Sequence, residues 1–133
     1  MKKFFAVIAG LSVAFLFISI GSVLSIRSFG NLQDLTDIDL ESVRQMIGSM
    51  RSKPVGLILV ILSHAVGSLA GGVTVGRILK EDTMNVGLTL GAILTVLGMV
   101  NMILIPTYPE WFYLDFLVFI PLSMFGANYT SKL

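Results

Sequence analysis

Residues 54–79, PVGLILVILSHAVGSLAGGVTVGRIL, set the terms on which the rest of the chain is read. The stretch holds no acidic residue, and its one arginine, Arg77, stands near its end. At 1.5 Å per residue, a hydrocarbon core of about 30 Å calls for about 20 apolar residues, with about 17 as a lower limit. This segment is long enough to cross as a helix. Three further apolar stretches, 4–26, 85–106 and 111–128, repeat the pattern, the last of them near the lower limit. The expected fold is therefore all-α: a polytopic membrane protein built as an antiparallel bundle of four transmembrane helices. Residues 1–133 form a single membrane domain, since the one long polar segment, 27–53, is too short for a core of its own.

Composition agrees. The chain is 55% hydrophobic and 13% charged, with a mean hydropathy of +0.90. Those values lie far from the averages of soluble domains. It has no cysteine, which excludes disulfides, thiolate metal sites and cysteine nucleophiles. Nine basic and eight acidic residues give a net charge of +1 without any basic run, so nucleic acid is not an expected partner. The expected surroundings are the lipid bilayer, with a larger membrane-protein complex or a homo-oligomer as the protein partner. Met1-Lys2-Lys3 followed by an apolar run resembles a secretory signal, but the run exceeds the usual signal core and no Ala-x-Ala site follows. A retained first helix is expected.

Orientation follows from lysine and arginine near the helix ends. Lys2, Lys3, Arg77, Lys80 and Lys132 fall on one side of a four-span chain, and the turn Pro106-Thr107-Tyr108-Pro109-Glu110 on the other carries no positive charge. Both termini are expected in the cytoplasm. Arg27, Arg44, Arg51 and Lys53 are the exception, accompanied by Asp34, Asp37, Asp39 and Glu41. Within that external segment Thr36 and Asp39 have the spacing of a helix start, and Leu40, Val43, Met46, Ile47 and Met50 recur at helical intervals. A short amphipathic helix is expected, either lying on the membrane or capping the bundle. Ser52 as cap and Pro54 in the first turn then open the second span.

The second span has a flat side. Gly67 and Gly71 form a Gly-x-x-x-Gly step, and Ser68, Gly72 and Gly76 continue small residues at intervals of four. Such faces let a neighbouring backbone approach closely. Gly87, Gly91, Thr95 and Gly98 do the same on the third span. Joined by a short turn, the two faces are expected to meet, packing within the chain, at a dimer contact or along a pathway.

Three polar residues in this apolar setting are candidates for ligand contact or proton-linked work. His64 lies about 15 Å into its span, near the midplane, on the face of Gly67, Ser68 and Gly71. Ionisable groups at that depth are functional hypotheses by default, and histidine changes charge near neutral pH, although a structural hydrogen bond is the plainer role. Asn101 and Asp115 each stand seven residues from Tyr108 at the centre of the turn, so an Asn101 amide donating to the Asp115 carboxylate is expected. On α-helical spacing Asp115 projects with Trp111. Tyr108, Trp111 and Tyr113, with Phe112 and Phe116, form an expected interfacial anchor. Pro121 removes a backbone hydrogen bond from the fourth span. No metal cluster, catalytic set or cofactor signature is present, so no cofactor is expected.

The run Val100 to Pro106, continuing through Pro109-Glu110-Trp111-Phe112 to Asp115 and Pro121, resembles small bacterial membrane proteins with four predicted spans, and Ser63-His64 to Gly72 is similar to their second helix. The resemblance implies a bacterial inner-membrane protein and supplies no activity. Small multidrug transporters and fluoride channels share the size, but the first span lacks the embedded glutamate of the former, and no filter motif of the latter is evident. The leading expectation is a non-enzymatic accessory or assembly component of a membrane complex. A small oligomeric transporter or channel using His64, Asn101 and Asp115 is the alternative, followed by a membrane-embedded enzyme.

Overall fold

The structure is a computed structural model and describes residues 1–29 and 39–133. It contains helices α1 (Lys2–Phe29), α2 (Leu40–Met50), α3 (Pro54–Ile78), α4 (Thr83–Leu104) and α5 (Phe116–Ser131), the last preceded by a 3-10 helix, Glu110–Asp115. Four segments are long and apolar enough to cross a membrane: α1, α3, α4, and the 3-10 helix together with α5. The molecule is an all-α bundle of the multi-pass membrane class.

Local chemistry explains the helix boundaries. Asp39 is the N-cap of α2, its carboxylate accepting from the Ser42 amide at 2.7 Å; hydrogen bonding from Ser42, first its side chain and then its amide, holds the carboxyl below its ordinary value. Thr36, expected at the helix start, lies outside the described residues. Pro54 opens α3 at a position where its missing N–H costs nothing, and Lys53 rather than Ser52 is the N-cap residue. The Ser52 hydroxyl donates back to the Ser49 carbonyl instead. Asp82 begins α4 in a left-handed conformation, φ 54°, which aspartate tolerates better than most residues. Its carboxylate is engaged by Lys3 at 2.7 Å rather than by the helix amides.

The Lys3–Asp82 pair and a 3.2 Å hydrogen bond from Thr83 to Ser131 gather the start of α1, the α3–α4 turn and the end of α5 at one end of the bundle. This is the termini end; α2 marks the other. Around the bundle the order is α1, α3, α5, α4, with α1 and α4 touching sparingly across one side.

The glycine faces of α3 and α4 do not meet each other as the sequence leads one to expect. A Cβ at Gly67 would lie 2.8 Å from the Ala14 carbonyl, and one at Gly71 would lie 2.7 Å from the Gly10 carbonyl, both on α1. Cβ atoms at Gly72 and Gly76 would collide with the Ser123 and Ala127 carbonyls of α5, and those at Gly87 and Gly91 with α5 between Phe119 and Ala127. Gly98 faces the Phe116 and Phe119 rings. On α3 and α5 the contacts advance in the same direction, so these non-consecutive helices are parallel neighbours, while α1 and α4 pack antiparallel to their partners. The first and fourth spans, not the third, fill the small-residue faces of the second.

Two hydrophobic clusters follow. At the termini end Ala6, Ala14, Val75, Leu79, Val86, Leu90, Leu94, Phe119 and Ala127 are buried. At the other end Ile47 and Met50 of α2 pack with Leu57, Val60, Ile105 and Phe112. The amphipathic helix thus caps the bundle. Arg44 donates from Nε to the Leu104 carbonyl at 2.9 Å, and Thr107 donates to the Arg44 carbonyl at 3.3 Å, which pins α2 over the end of α4.

Candidate functional site

At the junction of the two clusters, His64 Nδ1 lies 2.6 Å from Asp115 Oδ2. The His64 side chain is 12% exposed and that of Asp115 2%. The imidazole leans on the Phe119 ring, centroid to centroid 5.3 Å. A separation this short is that of a charge-assisted hydrogen bond. Asp115 Oδ1 is buried and, among the described residues, has no hydrogen-bond partner.

The 3-10 helix explains why Asp115 reaches His64 rather than Asn101. In a 3-10 helix residues i and i+3 eclipse, so Phe112 and Asp115 share one face while Trp111 and Leu114 share another. Phe112 and Asp115 are accordingly buried, and Trp111 and Leu114 are exposed. On α-helical spacing Asp115 would project with Trp111. The tighter winding turns it instead toward α3. At about 2.0 Å per residue it also carries Asp115 about 10 Å past Glu110, toward the level of His64, which lies about 15 Å into α3.

Asn101 therefore stands apart from the carboxylate. It is exposed on α4, and its amide donates to the Tyr108 hydroxyl over 3.5 Å. Tyr108 is turned inward, stacked on Phe112 at 4.4 Å, so it does not share the outward setting of Trp111 and Tyr113. Burial pushes the Tyr108 phenol above its ordinary range; the Asn101 hydrogen bond opposes this and the nearby Asp115 charge adds to it. The predicted anchor thus divides into two exposed rings and one inner one.

Serines complete the polar layer. Ser68 donates to the His64 carbonyl at 2.7 Å, and Ser123 donates to the Ser68 carbonyl at 3.3 Å, joining α5 to α3 beside the dyad. The Ser123 hydroxyl, two residues after Pro121, thus crosses to the neighbouring helix. Ser25 donates to the Gly56 carbonyl at 2.6 Å, joining α1 to α3 nearer α2.

His64 forms part of the wall of a cleft of about 480 Å³ bounded by α1, α3 and α4, with Phe15, Ile18, Ser22, Leu97 and Gly98 on its flanks and Val43 and Ile47 of α2 over it. Asp115 is not part of that wall; it lies behind the imidazole. A carboxylate that accepts from Nδ1 fixes the ring orientation and leaves Nε2 as the working edge, able to accept a hydrogen bond or a proton. Among the described residues no three metal-ligating side chains gather.

Comparison with protein-family models, with curated proteins and with solved structures finds no match to this chain. The site is therefore read from its own chemistry.

Proposed function

We propose that this protein is a non-enzymatic accessory component of a bacterial inner-membrane complex, with both termini cytoplasmic. One observation carries the reading: His64 of the polar centre lines an apolar cleft walled by α1, α3 and α4, while the termini half of the bundle is closed by backbone-to-backbone packing. A cleft walled by spanning helices serves molecules that already reside in the membrane. Extraction in mild detergent should recover the chain with a stoichiometric membrane partner. Recovery as a lone chain that dissipates an ion gradient in liposomes would replace this reading.

The orientation has its own test. Cysteines introduced at Glu41 and Lys80, both exposed at opposite ends, should react oppositely with an impermeant thiol reagent on intact cells, Glu41→Cys labelled and Lys80→Cys protected. The reverse pattern would invert the topology.

A second reading, a small transporter, is favoured by the dyad itself: an imidazole and a carboxylate buried at membrane depth, with one carboxylate oxygen unpartnered among the described residues, have the chemistry of a proton relay. A pH-dependent flux that disappears in folded His64→Gln would move it to first place.

A further inference from the structure

We infer that the cleft beside His64 is a binding site for a lipid-soluble molecule carrying a hydroxyl group, which donates its hydrogen bond to His64 Nε2. Three observations converge. The first is the tautomer imposed by the dyad. Asp115 accepts from Nδ1 at 2.6 Å, and a neutral imidazole with its proton on Nδ1 presents a lone pair on Nε2. Among the described residues Nε2 has no hydrogen-bond partner, and the ring to which it belongs forms part of the cleft wall.

The second is the container. About 480 Å³ lies within the range of small-molecule sites, and so does the character of the lining, apolar except for a few placed polar groups. Phe15, Ile18, Leu97 and Phe119 supply apolar wall, and Asn101 and Tyr108 stand where the cleft approaches the turn. An apolar body with one donor satisfies both the walls and the imidazole.

The third is the carboxylate behind the ring. Asp115 is 2% exposed with Oδ1 unpartnered among the described residues, an arrangement that disfavours folding unless it serves something else. Aligning the imidazole is such a service, because a carboxylate hydrogen-bonded to one ring nitrogen makes the other a better acceptor.

This site does not depend on the accessory reading: a chain without a stoichiometric partner would still show it, and a partnered chain lacking it would lose this inference alone. The test uses purified full-length protein in phosphatidylcholine vesicles with a photoactivatable diazirine derivative of hexadecanol, and its methyl ether as the probe without a donor. The alcohol should label Phe15, Ile18 or Leu97 and outcompete the ether about fivefold, the worth of one net hydrogen bond. His64→Phe should abolish that preference. Should His64→Phe fail to fold, Ser22→Phe, which fills the cleft from α1 and leaves the dyad in place, should remove labelling by both probes. Mass spectrometry of lipid copurifying with wild type but not with Ser22→Phe separates the sources: a hydroxylated lipid identifies a bilayer molecule, and none, with alcohol labelling retained, identifies one that enters from outside. Equal labelling by alcohol and ether in the wild type, or labelling unchanged in Ser22→Phe, overturns the inference.

Discussion

The two ends of the bundle are built by different rules. Toward the termini, α3, α4 and α5 touch through glycines and carbonyls, with no side chain between backbones at Gly72, Gly76 and Gly91. Toward α2, α1 and α3 still approach closely at Gly21 and Gly56, but beside them lie a hydrogen-bonded His64–Asp115 dyad, a cleft and a capping helix. Within a bilayer, close packing stabilises association because lipid is as apolar as leucine and offers no hydrophobic gain. A polar centre needs the opposite: room, and partners for its hydrogen bonds. Rigidity and chemistry are thus separated along the bundle axis, and substitutions in the two regions should fail in different ways.

The sharpest break is expected at Gly72. Gly72→Leu drives a side chain into the Ser123 carbonyl, a backbone atom that cannot rotate away, and should lower stability by about 3 kcal/mol or more, the upper range for overpacking. Thermal unfolding in detergent measures it. Gly48 in α2 has nothing within 4 Å of a built Cβ, so Gly48→Ala should stabilise, by up to about 1 kcal/mol of helix propensity. Equal tolerance at both sites would dissolve the contrast between the two ends.

Next comes the dyad. His64→Leu strips the Asp115 carboxyl of the one partner it has among the described residues and should cost about 2–3 kcal/mol. The double change His64→Leu with Asp115→Leu should recover at least half of that loss, since removing both partners leaves no orphan group. A double variant as unstable as the single would mean that the dyad acts through packing rather than through its charges.

A smaller effect tests the cap. Arg44→Ala removes the hydrogen bond to the Leu104 carbonyl and should cost about 1 kcal/mol, read as faster amide hydrogen exchange in α2 with exchange in α5 unchanged. Exchange that quickens throughout would show that α2 is integral to the bundle rather than a lid upon it.

The least effect is expected at the surface pair. Lys3 holds the Asp82 carboxyl below its ordinary value, first by hydrogen bonding and then by charge. A lowered carboxyl contributes above its unfolded value and loses that contribution as pH falls through the folded one. Lys3→Ala should therefore lower the unfolding midpoint slightly at neutral pH and not at all in strong acid. A difference that grows on acidification would contradict the assignment.

The spans were legible because hydrophobic length is a local property, and α1, α3, α4 and the fourth span begin and end within a few residues of expectation. Partner choice was not. The glycines of α3 and α4 advertise close contact but not with which helix, and the short turn between them pointed to the wrong neighbour. His64 and Asp115 were each visible as polar intruders, yet their meeting depended on six residues winding as a 3-10 helix after Pro109. A shift from an i+4 to an i+3 repeat was written in the burial of Phe112 and Asp115, which no local pattern announces before the fold exists. The burial of Met46, Ile47 and Met50 resolves the position of α2, since its apolar stripe would suit membrane or bundle alike.

The parallel contact between α3 and α5 also bears on biogenesis. While the chain is being made, α1 and α3 can pair once both are inserted, but the Gly72 and Gly76 row on α3 and the Gly87 and Gly91 row on α4 have no occupant until α5 arrives. A nascent chain halted after Leu104 would present both bare rows to lipid. Helix α5 is in this sense the keystone: its insertion locks the two rows at once, so a helix made after both decides whether they remain assembled.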